Sequence, residues 1–131
     1  MSLGLTATRV DVLVDQIERG LPFKALELLA DECGLSPGII ASVIGIAERT
    51  LARRKATGRL APDESGRLLR VATVFEKAVE LFEGDVTGAV TWLTTAKKAL
   101  GHKTPLHYSR TELGAREVEN LIGRLEHGVF S

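Results

Sequence analysis

At 131 residues the chain forms one compact domain or two small subdomains sharing a core; its 44% hydrophobic residues supply that core, and its 26% charged residues keep the surface wet. No run of about 18 uncharged apolar residues occurs, which excludes a membrane-spanning helix, and the opening "MSLGLTATRVDVLVD" has no basic stretch leading into an apolar one, so no secretory signal is expected. Seventeen basic and 17 acidic residues cancel, so the chain as a whole is not a polyanion binder by bulk charge.

Helical spacing runs almost throughout. Val10, Leu13, Val14 and Ile17 fall at i, i+3, i+4, i+7 on one face of a first helix. Gly20 is placed to end it, because glycine takes the left-handed conformation cheaply. Pro22 suits the first turn of a second helix, with Phe23, Leu26, Leu29 and Ala30 on its apolar side and Gly34 as its stop. Cys33 is the single cysteine, so an intrachain disulfide is impossible and a core position is expected. Ser36 and Pro37 make a cap and first-turn pair for a short third helix through Ile44. Gly45 allows a sharp turn, and a fourth helix runs from about Glu48 to Ala56, closed near Gly58.

"LAPDESGRLL" breaks the texture. Leu60 to Pro62 read as a connector and Asp63 as the N-cap of a long helix ending at Gly84, striped by Leu68, Val71, Ala72, Phe75, Ala78, Val79 and Phe82. Asp85 caps the next helix, with Ala89, Val90, Trp92 and Leu93 inward. "ALGHKTPL" is a loop, and Thr104 and Pro105 repeat the cap and first-turn signal. The last helix begins near Thr111, buries Val118, Leu121, Ile122 and Leu125, and stops at Gly128 before an apolar tail. No stretch shows sustained period-two alternation. The expected fold is all-α, with about seven or eight helices in two parts, residues 1–65 and 66–131.

The neutral total conceals a segregation. Residues 1–47 hold 3 basic and 6 acidic side chains, residues 48–70 hold 7 and 3, and residues 71–131 hold 7 and 8, for net charges of −3, +4 and −1. The positive potential is therefore local, which matters to an anionic partner more than the sum does. It falls where "IIASVIGIAERTLARR" spells helix, glycine turn, helix, the helix-turn-helix pattern. Ala41, four before Gly45, lets the two helices approach, and Leu51, six after it, is expected to bury the second. Glu48, Arg49, Thr50, Ala52, Arg53 and Lys55 are left facing outward. Those near the helix start are positioned to reach base edges, and arginine bidentate to guanine is the commonest specific pairing. The later basic groups, Arg54, Lys55 and Arg59, suit phosphates. Arg54 sits where such a motif usually carries an apolar side chain; its stem can lie on the core with its head in water. The residues alone also admit a merely solvated basic face or a surface for a protein partner.

From Thr50 onward, "TLARRKATGRLAPDESGRLLRVA", "VELFEGDVTGAVTWL", "ALGHKTPL" and "TELGAREVENLIGRLEHGVF" occur in an order and spacing that resemble the Xre/MbcA/ParS family of bacterial antitoxins. The likeness covers about Gly34 to Ser131; the first 33 residues match least. Departures are Gly66 where the family usually has Asp, Ala96 where it often has Pro, and "HYS" at 107–109 in place of a more apolar stretch. The resemblance implies an Xre-like helix-turn-helix half, residues 1–65, and a small helical toxin-binding half, residues 66–131. It implies a RES-domain toxin as partner, an enzyme that attacks NAD+, and repression of the operon through operator DNA. Carried over, Arg124, Glu126, His127, Gly128, Val129, Phe130 and the terminal Ser131 lie at the toxin contact. The residues suit this: Phe130 is an aromatic of the kind that anchors a pocket, and Arg116 and Arg124 are in reach of acidic groups on a partner. The alternative is that Val129 and Phe130 fold back on their own core.

No catalytic constellation is visible. His102, His107 and His127 are scattered without paired cysteines or a metal-binding spacing, so no zinc site is expected; His127 suits the carbonyls at a helix end. No nucleotide or cofactor motif occurs, and no nucleophile has a base and an orienting group. Glu117 and Glu119 read as solvated helix faces and Trp92 as core. The expectation is a cytoplasmic, non-enzymatic homodimer, since helix-turn-helix proteins read paired half-sites. A repressor whose C-terminal half serves only to dimerise is the competing reading.

Overall fold

The computed structural model describes residues 10–128. Among them run eight α-helices and no strand: α1 (Val10–Arg19), α2 (Phe23–Cys33), α3 (Pro37–Val43), α4 (Glu48–Thr57), α5 (Pro62–Leu81), α6 (Val86–Leu93), α7 (Pro105–Tyr108) and α8 (Glu112–Glu126), with a 3-10 turn at Lys98–Leu100. The fold is all-α. Among the described residues no helix is long and apolar enough to cross a membrane. The chain divides into two compact units between Leu69 and Arg70, inside α5.

In the first unit, α2 turns Phe23, Ala25, Leu26, Leu29, Ala30 and Cys33 inward, where they meet Ile40, Ile44, Leu60 and Leu68 in the core. Burial, aided by Glu32, pushes the Cys33 thiol up to about 12, so it behaves as a small apolar side chain. The link between α1 and α2 is held tightly against the connector before α5. Gly20 has φ +89°, and a Cβ there would run into the Leu60 carbonyl. Leu60 donates its N–H to Leu21 O at 2.9 Å, and Leu21 N–H reaches the buried Ser65 hydroxyl at 2.8 Å.

Two expectations change here. The apolar face of α1 is only partly covered: α1 has no fully buried residue, Leu13 and Ile17 are half-buried, and Val10 is 77% exposed. The α5 helix also starts earlier than Asp63. Pro62 opens it, needing no N–H donor in the first turn, and Glu64 reaches back to accept from Ala61 N–H at 2.8 Å. A carboxylate three residues into the helix thus does the capping, and Asp63 instead pairs with Arg67 at 3.3 Å.

In the second unit, Val71, Ala72, Val74, Phe75 and Ala78 of α5 are buried, together with Ala89, Leu93, Leu106, Ala115, Val118, Leu121 and Ile122. Val79, Phe82 and Leu125 are only half-buried. Asp85 caps α6 by accepting from Gly88 N–H at 3.1 Å, Thr104 caps α7, and Thr111 caps α8. At Gly114 a Cβ would meet the Tyr108 carbonyl, so only glycine lets α8 start this close to the end of α7. Trp92 is half-buried rather than core, with the Lys97 ammonium 5.1 Å from its ring centre.

Candidate functional site

The turn between α3 and α4 is built by its sequence. Ser36 accepts from Ile39 N–H at 3.2 Å and starts α3. At the other end Gly45 takes φ +80°, Ile46 N–H returns to Ala41 O at 2.8 Å, and Gly45 N–H returns to Ser42 O at 3.1 Å. This paired closure is the glycine-dependent helix stop called a Schellman motif. Ala41, Ile44 and Ile46 are buried around it, which fixes the angle at which the chain enters α4.

No residue of α4 is buried. Glu48, Arg49, Ala52, Arg53 and Lys55 are exposed and Thr50 is half-buried; Leu51, expected to bury the helix, is also only half-buried. Polar bonds supply the rest of the attachment. Arg54 makes a two-pronged ion pair with Glu64, Nε to Oε1 at 2.8 Å and Nη2 to Oε2 at 3.2 Å. The Arg54 side chain is 24% exposed and that of Glu64 8%. Burial pushes the Glu64 carboxyl up, but the Arg54 guanidinium and the Ala61 N–H outweigh it and hold the group below the usual carboxylate range. Arg67 Nε donates to the Ile44 carbonyl at the turn. At the far end, Gly58 accepts from Phe23 N–H at 2.9 Å, and Arg59 Nη1 donates to Gly20 O at 2.6 Å.

The basic side chains grouped by sequence therefore separate by role. Arg49, Arg53 and Lys55 are presented to solvent, while Arg54 and Arg59 are tied to their own unit. Sequence spacing does not point to Glu64 or Arg67. The available signal was a glutamate at the third position of a helix beginning with Pro62.

In the second unit, Arg116 is exposed on α8 and pairs with Glu112 at 3.4 Å. Both line an open depression of about 410 Å3 with Arg70, Ala115 and Glu119. Glu119 is not merely solvated: it pairs with Lys77 at 3.2 Å. Arg124, Glu126, His127 and Gly128 are exposed. His127 caps α8 through its backbone, donating to Gly123 O at 3.2 Å. Val129, Phe130 and Ser131 lie outside the described residues. Among the described residues no cluster of His, Cys, Asp and Glu could hold a metal ion.

Comparison with known proteins assigns both units. The antitoxin Xre-like helix-turn-helix domain matches residues 12–72, and the antitoxin Xre/MbcA/ParS C-terminal toxin-binding domain matches residues 77–128. A protein named Antitoxin Xre from Yersinia enterocolitica is 44% identical over 130 residues, covering 98% of this chain and 88% of the relative. The chain belongs to the Xre antitoxin family. A second Antitoxin Xre, from Photorhabdus laumondii, is 37% identical over 116 residues, 88% of this chain and 78% of that relative. In this family member the helix-turn-helix match starts at residue 12, so it takes in α1 and α2, whose residues lie in the stretch of weakest resemblance. At Gly66, one of the departures from the family pattern, an added Cβ meets nothing within 4 Å.

Proposed function

We propose that this antitoxin binds and neutralises a RES-domain, NAD+-consuming toxin through its C-terminal unit, and represses its own operon by binding promoter DNA through α4 as a homodimer in the cytoplasm. The observation that carries the reading is the toxin-binding domain match over residues 77–128 beside a helix-turn-helix match over residues 12–72. The RES identity of the toxin comes from the block resemblance at 104–131. In this reading the molecule converts no substrate and uses no cofactor; it works by covering its partners.

Glu48, Arg49, Thr50 and Arg53 face the base edges in the major groove and Lys55 a phosphate. Arg54 and Arg59 serve by fixing the pose of α4. On the toxin side, Arg116 and Arg124 meet acidic groups, and the segment Glu126 to Ser131 carries the apolar anchor, Phe130. The competing reading, a repressor without a toxin, leaves the toxin-binding match unexplained.

The test is co-expression with the adjacent gene. Full-length chain is expected to retain that gene's product in a pull-down and to restore growth. A chain ending at Glu126 is expected to show the same helical circular dichroism and to lose both. Full protection by the shortened chain refutes the role of the tail, and failure of the full chain to hold the product refutes the toxin reading.

A further inference from the structure

The net charge of −1 over residues 71–131 conceals a second segregation. The acids sit at 76–85 and 112–126; from Val86 to Thr111 there is no Asp or Glu, while Lys97, Lys98, Lys103 and Arg110 supply four positive charges, with His102 and His107 beside them. The backbone gathers these groups. Lys97 N–H donates to Lys103 O at 3.0 Å, and His102 N–H donates to Lys97 O at 2.9 Å. Buried Leu100 anchors the loop below, and Gly101 and His102 both take φ +64° to close it. Lys98, His102, Lys103 and His107 are left exposed. Arg70 adds another guanidinium by donating Nη1 to the Arg110 carbonyl at 2.9 Å.

The cluster repels itself. Burial, then Arg110 and Lys103, hold the His107 imidazole below its usual range, and burial holds the Lys97 ammonium below the usual lysine range. Among the described residues, Lys97, Lys98, Lys103 and Arg110 form no ion pair with a carboxylate; the recorded contact of the Lys97 ammonium is the Trp92 ring. A stapled loop that holds like charges together gains when an anion arrives. Lysine is depleted at protein–protein interfaces, where arginine's fork pairs better with carboxylates. As a strongly hydrated point charge it serves sequence-independent contact with phosphates.

We propose that the 97–110 loop cluster is a second nucleic-acid surface, which contacts backbone phosphates without reading bases. It extends the DNA-binding reading above, with α4 supplying discrimination and this loop supplying affinity that salt removes.

The experiment uses the full chain and a Lys98→Ala/Lys103→Ala variant, with fluorescence anisotropy on two duplexes across a salt series. One duplex is the region upstream of the chain's own reading frame, the other a scrambled sequence of equal length. The variant is expected to lower the slope of log K against log salt by about two on both duplexes and to weaken low-salt binding roughly tenfold or more, with the preference between duplexes unchanged. A Lys98→Arg/Lys103→Arg variant keeps the charge and restores the slope, which excludes a folding effect. An unchanged slope overturns the proposal, as does absence of low-salt binding to the scrambled duplex by the full chain. Loss of the adjacent gene's product with slopes unchanged assigns the loop to a protein and overturns it too. A full chain that shows no preference between duplexes sinks the α4 reading alone, because the slope on the scrambled duplex still decides the loop.

Discussion

Two glycines in the first unit show how differently one residue type can matter. Gly20 has φ +89° and lies against the Leu60 carbonyl, so any side chain is both strained and obstructed. Gly66 sits within the first two turns of α5 with open space where a Cβ would go. A glycine inside a helix costs about 0.5–1 kcal/mol relative to alanine, because more backbone freedom is lost on folding. Gly66→Ala is therefore expected to stabilise the protein by about that amount. A urea melt checks it: the midpoint rises and the m-value stays constant. A lower midpoint means that the space beside Gly66 is occupied in solution.

At the scale of one element, α4 has no fully buried residue and is tied down by the Arg54–Glu64 ion pair, so its hold is expected to depend on pH. The Glu64 carboxyl in the folded chain lies below its ordinary value of 4.5. A depressed folded-state value contributes stability that is fully present above the ordinary value and is lost as pH falls through the lowered one. Wild type is expected to lose thermal stability as pH drops below about 4.5, and Glu64→Gln is expected to melt lower at neutral pH and to fall less steeply in acid. Parallel pH–Tm curves for the two proteins would show that the pair with Arg54 contributes nothing. This pair also marks the limit of what the sequence discloses. The helix stops at Gly34, Gly45 and Gly58 and the caps at Ser36, Asp85, Thr104 and Thr111 are local signals, set by the backbone needs of a few residues, and all are legible. Arg54 is different: its direction is set by a carboxylate ten residues away, across a turn and a connector. Trp92 and the α1 face fail for a related reason, since periodicity shows which side of a helix is apolar but not whether anything covers it. The outward side of α4 was legible as a basic surface; its division into free and committed arginines was not.

At the scale of the whole chain, the proposed function assigns one task to each unit, DNA to the first and the toxin to the second, and the two are expected to be separable. Arg53 is exposed in the first unit, and among the described residues it forms no ion pair with a carboxylate, so removing it breaks no ion pair within the fold. Arg53→Ala is expected to weaken binding to the upstream duplex by about 1–3 kcal/mol if the guanidinium reads a base, while folding stability changes by no more than about 0.5 kcal/mol. Capture of the adjacent gene's product should be untouched, because the toxin-binding match begins at residue 77. Removing the residues after Glu126 should do the reverse, abolishing capture and leaving DNA affinity in place. Gel shifts, urea melts and pull-downs on the two variants give a double dissociation. Loss of capture in the Arg53→Ala chain, with its melt unchanged, would mean that α4 meets the protein partner rather than DNA, and the basic helix would have to be reassigned to the toxin.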